Sequence, residues 1–221
     1  CDVLVIGGGP AGSTLSAFLA QKGRKVVLLE KARHPRFHIG ESLLPLNMPL
    51  FERLGVRAQV EQIGLLKPGA EFNCEGYEPA VYLFSKAMDK SFPVAYEVRR
   101  SEFDHLLLKN SAAKGTDVRE GVRVRDVELR DGQPARVTAE DENGKALTFE
   151  ARFLVDASGR DTFLANRLQI KQRNPQHNSS AIFGHFEGAE RRPGADAGNI
   201  SVYWFEHGWY WFIPLKDGAT S

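Results

Sequence analysis

The sequence predicts an α/β fold in which a parallel-sheet lobe opens as strand, helix, strand and is interleaved with a β-rich lobe. Three observations predict it. Asp2 to Ile6 reads as an apolar strand and runs into Gly7-Gly-Gly-Pro-Ala-Gly12 and a helical stretch. Roughly twenty residues farther on, a second apolar strand, Lys25 to Leu29, ends in the acid Glu30. Short alternating segments broken by turn residues then replace this pattern twice, over residues 66–98 and again over 166–221.

The opening unit carries the first chemistry. Gly7 permits a tight turn, Gly9 lets backbone approach a pyrophosphate, and Gly12 lets the helix pack on the strand. With Pro10 and Ala11 between them, the helix start aims free N–H groups at phosphate oxygens, so this is a Rossmann-like dinucleotide site. Glu30 stands where a carboxylate accepts hydrogen bonds from an adenosine ribose. Glycines alone mark many ordinary turns; the strand before them, the helix after them and the acid beyond make the pattern specific.

The remaining elements follow in order. The first helix is expected over Ala11 to Lys22, apolar at Leu15, Phe18 and Leu19 and stopped by Gly23. A basic connection, Lys31 to Gly40, leads to a helix over Leu43 to Leu54, which holds two prolines and closes at Gly55. Ala70 to Cys74, Ala80 to Phe84 and Phe92 to Val98 read as strands. Ser101 to Lys114 returns to helical spacing, with Phe103, Leu106 and Leu107 on one face and Ser101 as N-cap. Asp117 to Glu150 alternates around Asp131-Gly132 and Asn143-Gly144, the second a strong hairpin signal. Ala151 to Val155 is a buried-strand candidate running into Asp156-Ala-Ser-Gly-Arg160. Ser179 to Pro214 alternates and is rich in aromatics, with Arg191 to Gly198 as a loop; His185 and His207 fall on strands in this reading, in structural roles. The expected division is 1–65 and 99–165 for the dinucleotide-binding lobe, 66–98 and 166–221 for the β-rich substrate lobe.

Composition narrows the function classes. With 221 residues, 42% of them hydrophobic, the chain can fill a proper core. Lys plus Arg number 29 against 28 Asp plus Glu, so no global field recruits nucleic acid or an anionic membrane. No apolar run is long enough to span a bilayer. Cys1 and Cys74 have no disulfide-framework spacing, and no targeting segment precedes the first strand, which fits a reducing, cytoplasmic setting. A chain that stops at Asp217-Gly-Ala-Thr-Ser221, in turn-like residues after a strand candidate, is expected to be the N-terminal part of a longer protein.

Three further strings carry a resemblance. The glycine fingerprint, Arg100-Ser-Glu-Phe-Asp104 and Leu154-Val-Asp-Ala-Ser-Gly159 together resemble FAD enzymes of the aromatic-hydroxylase type. Phe37-His-Ile-Gly-Glu-Ser-Leu-Leu-Pro45, the W-x-W-x-I-P string of Gly208-Trp-Tyr-Trp-Phe-Ile-Pro214 and Leu66-Lys-Pro-Gly-Ala-Glu-Phe72 are similar to those of the flavin-dependent halogenases, over nearly the whole chain. The resemblance implies FAD bound by Gly7, Gly9, Pro10, Ala11, Gly12, Glu30 and Arg100, with Asp156 and Gly159 on a strand end near the cofactor. It implies Gly40, Glu41 and Ser42 near the isoalloxazine or halide, Trp209 and Trp211 shaping a tunnel, and Lys67 presenting electrophilic halogen from hypohalous acid. Lys31 and Arg36, with Arg33 beside them, are candidates for the FAD phosphates or adenine.

The implied reaction consumes reduced FAD, O2 and chloride or bromide and halogenates a small or carrier-bound substrate. With one glycine fingerprint in the chain, the reduced flavin comes from a separate reductase. An FAD monooxygenase or FAD-dependent reductase on the same scaffold is the alternative, and a non-catalytic flavoprotein or interaction module is the alternative of another class. Plainer readings stand beside each residue: a helix-start surface arginine for Arg100, a turn or cap for Asp156, core packing for Trp209 and Trp211, an exposed lysine before Pro-Gly at a strand start for Lys67, a solvated loop for the basic connection. His34 and His38 have a four-residue spacing, but Pro35 intervenes, so no metal site is expected. Ser42 has no evident His and Asp partners that would make it a nucleophile.

Overall fold

The computed structural model describes residues 1–176 and 179–221; residues 177 and 178, within the expected second β-rich span, lie outside the described residues. In chain order the first elements are β1 (Val3–Ile6), α1 (Pro10–Gln21), β2 (Val26–Glu30), α2 (Met48–Leu54), α3 (Arg57–Ile63), β3 (Leu65–Lys67) and β4 (Gly69–Cys74). Then come β5 (Ala80–Leu83), β6 (Ala95–Glu97), α4 (Arg100–Ala113), β7 (Asp117–Glu120), β8 (Val122–Glu128) and β9 (Ala135–Asp141). The chain finishes with β10 (Ala146–Ala151), β11 (Phe153–Asp156), α5 (Phe163–Arg167), β12 (Ile200–Phe205) and β13 (Gly208–Phe212).

The chain divides into two compact units, Cys1–Arg36 with Asp104–Ser179 and Phe37–Phe103 with Ser180–Ser221. The first crossing falls at residues 36 and 37, well before the expected 65 and 66. Backbone pairing explains this: Leu43 N–H donates to Tyr96 O at 3.0 Å and Val98 N–H to Glu41 O at 2.9 Å, which ties the segment after residue 36 to β6.

The first unit is α/β as expected. Its sheet has the order β11, β1, β2, β7, all parallel. Burial on both faces explains the continuous apolar runs, since Val3, Leu4, Val5 and Ile6 are all buried. One face packs with Leu108 and the other with Val122, Val124, Val137 and Ala139 from the antiparallel sheet β10, β9, β8. The hairpin between β9 and β10 turns at Asn143-Gly144, where Gly144 has φ +79° and Asp141 Oδ1 accepts from Asn143 N–H at 2.9 Å.

The second unit holds a four-stranded sheet in the order β13, β12, β4, β5 and the two-stranded pair β3 and β6. Several expectations change here. The helix expected over 43–54 is a 3-10 turn, Pro45–Asn47, followed by α2, because Pro49 cannot donate inside a continuous helix while Pro at a helix start is tolerated. Helix α3 was not foreseen. Of the span 179–214, only β12 and β13 are regular strands; His185 lies in a non-strand segment and His207 on the turn between β12 and β13. The predicted loop 191–198 ends in a 3-10 turn, Gly194–Gly198. Helix α4 starts one residue early, and the carbonyl of Arg99 accepts from Glu102 and Phe103, so Ser101 lies inside the helix and does not cap it. No helix among the described residues is long and apolar enough to cross a membrane.

Candidate functional site: a nucleotide loop and a buried lysine

The loop between β1 and α1 is built by close packing. Gly7 has φ +105°, and a Cβ there would lie 2.4 Å from Ala157 O. A Cβ on Gly12 would lie 2.0 Å from Gly7 O, so the helix sits directly on the turn. Gly9 differs: the nearest atom to an added Cβ is Arg36 Nη2 at 3.6 Å, ordinary contact. The protein itself leaves room at Gly9, and a bound group in close backbone approach is what a side chain there would obstruct. Pro10 is the first helical residue, Ala11 follows it, and Gly9 supplies no side-chain cap, so the helix start keeps its donors for a ligand.

Glu30 shapes this loop from below. It is 4% exposed, its Oε2 accepts from Gly8 N–H at 2.7 Å and its Oε1 from Ala32 N–H at 2.8 Å. Each oxygen keeps a second lone pair, which a ribose hydroxyl requires. Arg36 reaches back to the same place, with Nη1 3.5 Å from Asp104 and Nη2 3.9 Å from Glu30. Lys31 pairs with Asp161, and Arg33 with Glu142, both at the surface. Asp156 fills the role of a cap: its oxygens accept from Ser158 N–H at 3.0 Å and Leu164 N–H at 2.8 Å. Gly159, at φ +65° with nothing near an added Cβ, is glycine for its backbone conformation.

The second unit gathers Gly40, Glu41, Ser42, Lys67 and Arg100. Arg100 Nη1 donates to Ile39 O at 2.5 Å and lies 3.1 Å from where a Gly40 Cβ would be. Glu41 is buried, accepting from Gly40 N–H at 2.8 Å and lying 3.0 Å from His185 Nε2. Lys67 is 2% exposed, which removes the reading of it as a surface lysine. Its Nζ donates to Ser42 Oγ at 2.6 Å and to Leu43 O at 2.9 Å, with Glu97 Oε1 at 3.7 Å. Burial pulls the Lys67 amine below its ordinary value, opposed by Glu97, and the same burial pushes the Glu97 carboxyl up to about 8.

Sequence reasoning missed Glu97. The one signal available was a lone carboxylate inside the apolar run Val94-Ala-Tyr-Glu-Val98.

Trp209 and Trp211 lie on one face of β13, about half exposed, with Trp204 paired opposite Trp209 and Phe72 opposite Val202 one strand farther. They are not among the hydrogen-bonding or charged partners of Lys67. His34 and His38 do not form a pair: His34 Nδ1 is 3.1 Å from Glu120 Oε1, and His38 Nδ1 is 3.1 Å from Ile39 O. Among the described residues no group of three His, Cys, Asp or Glu is placed to hold a metal ion.

A parallel sheet with a glycine turn, an uncapped helix start and a buried acid at the end of the second strand defines a dinucleotide-binding fold. The family described as FAD binding domain matches residues 1–205, and the chain belongs to that family. The Gly9 cradle, the free helix start and Arg36 fit a pyrophosphate-bearing cofactor. The flavin-dependent halogenase armH3 of Armillaria mellea is 40% identical over all of this chain and 45% of its own length. The 1H-pyrrole-2-carbonyl-[peptidyl-carrier protein] chlorinase of Pseudomonas fluorescens is 31% identical over all of this chain and 54% of its own. The structure of the myxobacterial chondrochloren halogenase CndH, 37% identical, superposes with a TM-score of 0.84 over 99% of this chain and 51% of that one. The chain thus spans about half the length of the curated relatives it matches.

Proposed function

We propose that this chain is the FAD-binding part of a flavin-dependent halogenase. The observation that carries the reading is the Lys67 amine, buried and held by Ser42 and Leu43, in a chain similar to halogenases from end to end. FAD, when bound and reduced, supplies the electrons that combine O2 and halide into hypohalous acid and water. Gly7, Gly9, Pro10, Ala11, Gly12, Glu30, Lys31 and Arg36 hold its nucleotide half, with Asp156 and Gly159 fixing the adjacent strand end. Arg100 holds the ribityl or phosphate region of FAD, and Gly40, Glu41 and Ser42 serve its ring end or the halide.

Lys67 supports the chemistry because an amine is a nitrogen nucleophile whose charge is adjustable, unlike that of arginine. As the free amine it takes halogen from hypohalous acid: the N–X bond forms, the O–X bond breaks, and the departing hydroxide leaves as water with the N–H proton. Trp209 and Trp211 screen the reactive halogen from bulk water. A separate reductase supplies reduced FAD, the substrate is a small molecule or one held on a carrier protein, and two free cysteines fit a reducing, cytoplasmic setting.

The test is product formation by the full-length protein with reduced FAD, O2 and chloride or bromide. A halogenated product that requires halide supports the reading; an oxygenated product indifferent to halide overturns it. Lys67→Ala is expected to bind FAD and lose halogenation, and full halogenation by that variant removes the lysine from the mechanism.

A further inference from the structure

Lys67, Ser42 and Glu97 come from three separate segments and meet because of strand register. β3 and β6 pair antiparallel with Leu65 opposite Glu97 and Lys67 opposite Ala95, which puts Lys67 and Glu97 on one face, two residues apart across the pair. An isolated bridge between Ser42 and Glu97 lays a third extended segment beside β6. Ser42 Oγ, which accepts from Lys67 at 2.6 Å, is 3.3 Å from Glu97 Oε1 and donates to it. Lys67 and Glu97 are 2% and 0% exposed, and the Phe84 ring lies 5.4 Å from the Lys67 nitrogen. Glu97 Oε2 has no hydrogen-bond partner.

This arrangement answers a need of the proposed chemistry, on whose reading of Lys67 it rests. The lysine reacts as a free amine, yet a buried ammonium has little water to receive its proton. We propose that Glu97 is the internal acceptor of the Lys67 proton, with the Ser42 hydroxyl as the bridge, so that Ser42 and Glu97 are positioning residues for the lysine. In the transfer one N–H bond of Lys67 breaks and its proton goes to Ser42 Oγ, while the Ser42 O–H proton goes to Glu97 Oε1. Ammonium and carboxylate become amine and carboxylic acid, the hydroxyl is restored, and no charge enters or leaves the cluster. A neutral pair also escapes the desolvation penalty that an ion pair meets in apolar surroundings. Burial raising the Glu97 carboxyl and lowering the Lys67 amine brings the two groups toward equal proton affinity, the condition for easy transfer between them.

The charged groups that act on this cluster are few. Glu41, on the segment preceding Ser42, repels the Glu97 carboxylate and favours its protonated form. Glu41 is in turn 3.0 Å from His185 Nε2, His185 Nδ1 is 3.2 Å from Arg99 Nη1, and Arg99 Nε pairs with Asp217 at 2.5 Å.

The experiment is a pH profile of halogenation by the full-length, FAD-loaded protein, read beside the 13C titration of the Lys67 Cε signal, assigned by its loss in Lys67→Ala. Glu97 accepts only as the carboxylate, so with an internal acceptor the wild-type rate rises up to about pH 8 and stays level above it. In Glu97→Gln the ammonium must lose its proton to solvent, so above about pH 8 the rate falls below that of wild type and, in place of the level stretch, climbs tenfold per pH unit up to the lysine midpoint. That midpoint moves down in Glu97→Gln, because the carboxylate's attraction is gone. Ser42→Ala, which removes the bridge and keeps both charges, gives the sloped profile with a midpoint near that of wild type, and Glu97→Asp restores the level one. A level Glu97→Gln profile, an equal loss at every pH, or an unmoved lysine midpoint overturns the proposal while leaving Lys67 in place. Full halogenation by Lys67→Ala overturns the parent reading instead.

Discussion

Gly9 and Gly12 stand three residues apart and are glycines for different reasons. At Gly12 the reason is internal, since an added Cβ would lie 2.0 Å from a backbone oxygen. At Gly9 the nearest contact is an ordinary 3.6 Å to a flexible arginine, so the reason lies outside the chain. Gly9→Ala is therefore expected to leave the thermal midpoint unchanged and to weaken FAD binding at least tenfold, measured by flavin fluorescence titration; unchanged affinity removes the cradle argument. Gly12→Ala is expected to destabilise by roughly 3 kcal/mol, at the upper end for overpacking, seen as a lower urea midpoint. The fingerprint spelled both glycines alike, and only the packing separates their reasons. Glu30 shows the same limit: its place after β2 was legible, but the two backbone N–H groups it holds were not.

At the scale of elements, local signals succeeded where the deciding contacts are close in sequence. The Asn143-Gly144 turn is an example, because the left-handed backbone at Gly144 and the Asp141 bond to Asn143 are both made within a few residues. Gly144→Val is expected to cost about 1–2 kcal/mol, the penalty of a left-handed residue with a Cβ, without moving FAD affinity; urea unfolding and flavin titration check the two halves. Signals failed where proline or tertiary contact overrode spacing. Two prolines split the expected 43–54 helix, and the alternation across 179–199 found no strand to pair with, only a single bridge from Phe186 to Thr220. The W-x-W string was read correctly as a strand, but which side it faces depends on Trp204 and Phe72 from two neighbouring strands.

For the whole molecule the buried Lys67 and Glu97 make stability depend on pH. Burial pushes the Glu97 carboxyl up to about 8 in the folded chain, from an ordinary value of 4.5. Between those values the folded state keeps a proton that the unfolded state has released, so this group lowers stability as pH rises through that window. The Lys67 shift has the opposite sign and acts at higher pH: the unfolded lysine stays protonated up to its ordinary 10.5, while the folded one has let its proton go, so stability recovers as pH rises there. Urea unfolding at about pH 5.5 and 8 is expected to show a loss in wild type that shrinks in the Lys67→Met, Glu97→Gln double variant, which holds neither charge. A loss equal in both proteins places the pH dependence elsewhere.

What the sequence determined by itself was set by near neighbours: the βαβ opening, the glycine turn, the acid ending β2 and the hairpin at Asn143-Gly144, each fixed by backbone sterics and side-chain period over a short span. What the tertiary structure decided was every relation between distant segments. The first unit ends at Arg36 because the next segment pairs with β6. Lys67 is buried, and Glu97 and Ser42 reach it, because β3 and β6 pair in one register and not another. A side chain's proton affinity depends on what surrounds it, and for Lys67 those surroundings come from residues 25 and 30 positions away, beyond the reach of any local pattern.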